Sequence, residues 1–128
     1  ELSRQTMSNW MLKCVELYLE PLYEKLHEKL LQREVLHADE TTLQVLKEFG
    51  KPASSKSYMW LYRTGSDAKY PIVLYNYQSG RGKEYPQEFL KGYKGYLQTD
   101  GYSVYHDLNQ DITDVGCWTH LRRKFDEA

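Results

Sequence analysis

Val35-Leu36-His37-Ala38-Asp39-Glu40-Thr41-Thr42-Leu43-Gln44-Val45-Leu46 has a period of two and reads as a β-strand with an acid, Asp39, in its interior. Aspartate is depleted in strands, and desolvating a carboxylate without a partner is costly, so an acid here asks for a counter-charge. Asp100 repeats the theme: it closes the short strand-like run Tyr96-Leu97-Gln98-Thr99 and is followed at once by Gly101. Two carboxylates on or at the ends of strands, far apart in the chain, are the material of a hard-cation site. Such sites serve metal-dependent phosphoryl transfer.

Working outward, Val35, His37, Asp39, Thr41, Leu43 and Val45 share one face of the first strand. The turn formers Gly50-Lys51-Pro52-Ala53-Ser54-Ser55 lead to a second strand, Tyr58 to Arg63. Thr64-Gly65-Ser66-Asp67 and Pro71 lead to a third, Ile72 to Tyr77. Short connections predict antiparallel pairing of these three. Ser79-Gly80-Arg81-Gly82-Lys83 then reads as a flexible basic loop, and Pro86 to Lys91 as a short helix beginning near its proline. A helical segment between strands is the connection that parallel pairing requires, so the strand Tyr96 to Thr99 is expected beside the first, bringing Asp100 near Asp39. Tyr102 to Leu108 suggests another short helix, Thr113 to Trp118 a fifth strand and Thr119 onward a final helix. Three strands, helix, strand, helix, strand, helix is the order of the ribonuclease-H-like fold: α/β, with a mixed five-stranded sheet and flanking helices.

An N-terminal helical segment precedes this. Trp10, Cys14, Leu17, Leu22, Leu26 and Leu30 recur at helical intervals among Lys, Glu and His. Pro21 interrupts the pattern, which predicts two helices, or one kinked helix, meeting at Glu20-Pro21. Residues 1–32 are thus expected to be a lead-in packed on a core of residues 33–128. Both ends read as truncated, as in a fragment of something longer.

At 128 residues the chain fits one domain with one core. Its net charge of −1 argues against a surface that grips nucleic acid everywhere, although a local basic patch fits inside a balanced total. Cys14 and Cys117 are distant and lack C-x-x-C spacing, so neither a disulfide framework nor a structural zinc site is signalled. No apolar stretch approaches the ~20 residues of a membrane span, and Glu1-Leu2-Ser3-Arg4 does not open like a secretory signal. A soluble, cytoplasmic protein without a membrane partner is expected.

Three runs carry a resemblance: Val35 to Thr41, Tyr96 to Tyr102, and Gly116-Cys117-Trp118-Thr119-His120-Leu121-Arg122-Arg123-Lys124-Phe125. In this order and spacing they resemble the bacterial insertion-sequence transposases of the sixty-six type. Lys56 to Trp60 and Pro86 to Gly92 extend the likeness over nearly the whole chain. The resemblance implies a ribonuclease-H-like catalytic core with two aspartates and a glutamate, of which Asp39 is the first acid and Asp100 the second. It implies magnesium, with manganese as a substitute, held by these acids. It also implies hydrolysis at transposon ends followed by strand transfer into target DNA, self-association of the full-length protein, and a place at the bacterial nucleoid. The family's third acid lies well downstream, and Glu127 does not match its position, so the fragment is expected to be inactive alone. Thr119 and Leu121 stand where the family often has alanine. Two other readings are a ribonuclease-H-like nuclease without strand transfer and a non-catalytic nucleic-acid-binding or assembly module.

Each residue also has a plainer reading. Asp39 would be a strand aspartate facing water, and Asp100 a turn residue favoured before glycine. Glu40, on the opposite strand face from Asp39, reads as structural or solvated. His120, Arg122, Arg123 and Lys124 fall within about a turn and a half of one helix and are candidates for phosphate contact, or else a solvated face. His120, just after a strand end, is the best placed of these to support the acids. Arg81 and Lys83 are candidates to follow a DNA backbone, or else belong to a mobile loop. His37 reads as packed rather than as a ligand, since magnesium prefers oxygen. The twelve tyrosines read mainly as strand residues with one wet edge.

Overall fold

The computed structural model describes residues 2–127, the Lys124 side chain excepted. Five strands form one mixed sheet: β1 (Val35–Gln44), β2 (Lys56–Thr64), β3 (Val73–Gln78), β4 (Gly95–Thr99) and β5 (Ile112–Gly116), in the order β3-β2-β1-β4-β5. β1 to β3 pair antiparallel, whereas β4 lies parallel to both β1 and β5. This is the ribonuclease-H-like arrangement expected from the order of elements. The helices are α1 (Arg4–Cys14), α2 (Glu20–Leu31), α3 (Glu84–Phe89) and α4 (Trp118–Asp126).

The two faces of the sheet differ, and the period-two pattern decides which is which. Leu36 and Ala38 of β1, Trp60 and Tyr62 of β2, Leu74 of β3 and Leu97 of β4 point into a core closed by Leu30 of α2, Phe89 of α3 and the Val104-Tyr105 turn. Tyr62 stacks on Phe89 with ring centroids 3.7 Å apart. Burying each such side chain contributes roughly 1.5–3 kcal/mol, so this face holds the sheet together. The other face, with Val35, His37, Asp39 and Thr41 of β1, is open or half-buried. Tyr93 Oη sits within hydrogen-bond distance of the carbonyls of Glu34 and Tyr96, fastening the starts of β1 and β4 where the parallel pair begins.

The N-terminal segment meets the sheet through α2, where Tyr23 Oη donates to the Tyr75 carbonyl at 3.0 Å, whereas α1 buries no residue and Trp10 and Leu17 are exposed. A π-helical stretch, Val15–Leu19, joins the two, with Glu20 N–H bonded to the Val15 carbonyl. Pro21 sits in the first turn of α2, where a missing N–H costs least. The helix expected over Tyr102–Leu108 shrinks to a 3-10 turn, Ser103–Tyr105. Asp100 Oδ1 captures the Tyr102 N–H at 2.9 Å, and Asp107, at φ 53°, turns the chain left-handed before a second turn could form. Among the described residues no helix is long and apolar enough to cross a membrane.

Candidate active site

β1 and β4 pair as Val35↔Tyr96, Leu36↔Leu97 and His37↔Gln98. Asp39 and Asp100 stand at the same sixty-one-residue offset, two positions further along. Alternation puts both on the open face, since Leu36 and Ala38 on β1, like Leu97 and Thr99 on β4, take the buried one.

Each acid is held by a backbone amide close in sequence. Glu40 N–H donates to Asp39 Oδ1 at 2.8 Å, and Tyr102 N–H donates to Asp100 Oδ1 at 2.9 Å. Asp39 is exposed and Asp100 half-buried. The two line different hollows. Asp39 borders one of about 190 Å³ with Thr41, Met59, Leu61 and Tyr75, and Asp100 one of about 230 Å³ with Cys117, Trp118 and His120. The two carboxylates do not share one pocket.

As a donor set the pair fits two ligands of a hard cation: both are carboxylates, and each has an oxygen that its amide contact leaves over. Among the described residues no group of three or more His, Cys, Asp or Glu side chains converges to hold a metal. His37 is no third partner. Burial, and then the charge of Arg63, lower its pKa, and its Nδ1 lies 3.3 Å from the Arg63 guanidinium.

Of the basic residues singled out, the structure brings His120 beside Asp100 and leaves the others elsewhere. His120 lines the Asp100 hollow, and its Nδ1 is buried with no partner among the described residues. Arg122 is exposed on α4 and pairs with Asp126 at 3.5 Å; Arg123 is exposed on the same helix, and the Lys124 side chain lies outside the described residues. Arg81 does not trail along a free loop: its guanidinium is bound to Glu40 and lies over the Tyr102 ring at 3.7 Å. Lys83 Nζ donates to the His106 carbonyl at 2.6 Å. Glu40 is structural, not solvated, with a side chain only 1% exposed.

One residue that sequence reasoning passed over lines the Asp100 hollow. Cys117 follows β5 as Asp100 follows β4, because Thr99 pairs with Gly116, and Cys117 N–H donates to the Thr99 carbonyl at 2.8 Å. It is the residue before α4, where backbone amides and the helix dipole favour an anion. The backbone N–H and then the ring of His120 lower its thiol to a pKa of about 6. The signal was present as Cys117-Trp118-Thr119-His120, a cysteine at a strand-to-helix junction with a histidine three residues on.

Comparison with known proteins adds lineage to this geometry. A family profile described as "Transposase IS66 family" matches residues 1–128. The uncharacterized protein y4qI of Sinorhizobium fredii is 36% identical over 138 residues, covering 98% of this chain and 25% of that protein. The uncharacterized protein y4hP of the same organism is 29% identical over 119 residues, covering 85% of this chain and 21% of that protein. The chain spans about a quarter of the length of the curated relatives it matches. No solved structure gives a significant match.

Proposed function

Because the chain belongs to the IS66 family of transposases, we propose that it is part of the catalytic core of a DDE-type enzyme that cuts transposon ends and joins them to target DNA. Asp39 and Asp100 are two of the three acids in this reading, in a core of residues 33–128 led in by residues 1–32. The observation that supports it is the parallel pairing of β1 with β4: the sixty-one-residue offset of that ladder, carried two positions beyond His37↔Gln98, meets Asp39 and Asp100.

Phosphodiester cleavage needs a nucleophilic oxygen freed of its proton and a leaving oxygen whose charge is stabilised. Magnesium, when bound, supplies that Lewis acidity, and Asp39 and Asp100 would hold it through their free oxygens. The open face contributes little covalent chemistry and mainly positions charge. His120, beside Asp100, is placed to hold or release a proton there. Exposed Arg122 and Arg123 on α4, which starts at this edge, supply positive charge for a DNA backbone. The third acid and self-association belong to the full-length protein.

The test is Asp39→Asn and, separately, Asp100→Asn in the full-length parent. Each should lower cleavage of transposon-end DNA by about 10²–10³-fold or more while DNA affinity is largely kept. Normal cleavage by either variant refutes its assignment, and nicked but unjoined products would identify a nuclease without strand transfer.

A further inference from the structure

We propose that Arg81 is a positioning residue that sets the spacing between Asp39 and Asp100, by clamping Glu40 of β1 to the loop that follows β4. The inference deepens the metal-site reading above and rests on it for its functional meaning.

The backbone ladder between β1 and β4 ends at His37↔Gln98, two positions short of the acids. Something other than strand pairing must hold the two carboxylates in register. Glu40 directly follows Asp39 but points to the opposite face, where its side chain is 1% exposed. A carboxylate so placed is costly unless fully partnered. Its Oε1 accepts from Arg81 Nε at 2.8 Å and also from Nη2, and its Oε2 accepts from Tyr105 Oη at 2.5 Å. Arg81 in turn lies over the Tyr102 ring at 3.7 Å.

The same two residues hold the acids through their backbones. Glu40 N–H donates to Asp39, and Tyr102 N–H donates to Asp100. A continuous path of contacts thus runs from Asp39 through Glu40, Arg81 and Tyr102 to Asp100, beyond the end of the ladder. The guanidinium suits this role because one plane makes the fork to a carboxylate and the stack on an aromatic face, which an ammonium cannot do together. Withdrawing Arg81 from this contact would leave Glu40 buried without its cation.

The experiment uses the 128-residue chain, ¹⁵N-labelled, as wild type, Arg81→Met, Arg81→Lys and Tyr102→Leu. Hydrogen exchange of the Tyr102 and Glu40 amides is followed without metal, and Mn²⁺ affinity is then measured by paramagnetic broadening. Arg81→Met and Arg81→Lys should speed Tyr102 amide exchange about tenfold, the equivalent of one lost hydrogen bond, while the Leu36 and Leu97 amides stay protected. Mn²⁺ affinity should fall by about the same factor. If Arg81→Met does not fold, Tyr102→Leu carries the test, since it removes the stack and leaves the Glu40 ion pair. Unchanged Tyr102 exchange, or equal loss of protection throughout the sheet, overturns the proposal. A wild-type chain that binds no Mn²⁺ at the acids would sink the metal reading instead, with the amide result still deciding the clamp.

Discussion

Tyr105 donates its phenolic hydrogen to Glu40 Oε2 at 2.5 Å, between two side chains that are each about 1% exposed. Burial, then the hydrogen bond to Glu40 and its charge, raise the phenol's pKa, so it stays a donor wherever the protein is folded. Tyr105→Phe keeps the edge-on contact with Trp60, whose ring centroid is 5.8 Å away, and removes only the hydroxyl. The variant should lose about 1–3 kcal/mol in urea unfolding, because one buried carboxylate oxygen loses its donor. Wild-type stability would show that Glu40 does not depend on this bond.

Cys117 should alkylate with a pH profile set by its pKa of about 6. Below that value the thiol is protonated and slow; above it the thiolate reacts, so the iodoacetamide rate should rise through about pH 6 and level off roughly one unit higher. Site-resolved mass spectrometry separates it from the exposed Cys14. A Cys117 rate still climbing between pH 7 and 9 would contradict the thiolate.

Gly95→Ala should be the more harmful of two alanine substitutions at positive φ. At Gly95, φ 152°, a Cβ would sit 2.4 Å from the Glu34 carbonyl oxygen and 2.8 Å from Tyr93 Oη, at the point where β1 and β4 begin to pair. Gly92, at φ 80°, has nothing within 4 Å of the same atom. Thermal unfolding should show a loss of about 1–2 kcal/mol at Gly92, the left-handed cost alone, and a clearly greater loss at Gly95. Equal losses would mean that the β1–β4 start relaxes freely.

The strands were legible because alternation is a local signal: Leu36 and Ala38 against His37 and Asp39 fixes the faces of β1 without any partner being known. The parallel placement of β4 beside β1 followed from the helical crossover before it. What stayed hidden depends on pairs that no local pattern announces. Arg81 and Glu40 are forty-one residues apart, so a glycine-flanked arginine read as a free basic loop. The 3-10 turn at Ser103–Tyr105 replaced a helix because the Asp100 side chain competed for a backbone amide. The apolar stripe of α1 looked like a packing face, yet α1 buries none of its residues.

The most direct measurement of whether Asp39 and Asp100 hold one cation between them is Mn²⁺ broadening of assigned amide signals in the 128-residue chain and in Asp39→Asn. The shared face and offset predict that signals around both acids broaden together, at the same Mn²⁺ concentration, and that Asp39→Asn abolishes the effect at Asp100 as well. Broadening at Asp100 that survives in Asp39→Asn, or that never reaches Asp39, would mean the two carboxylates do not share a site.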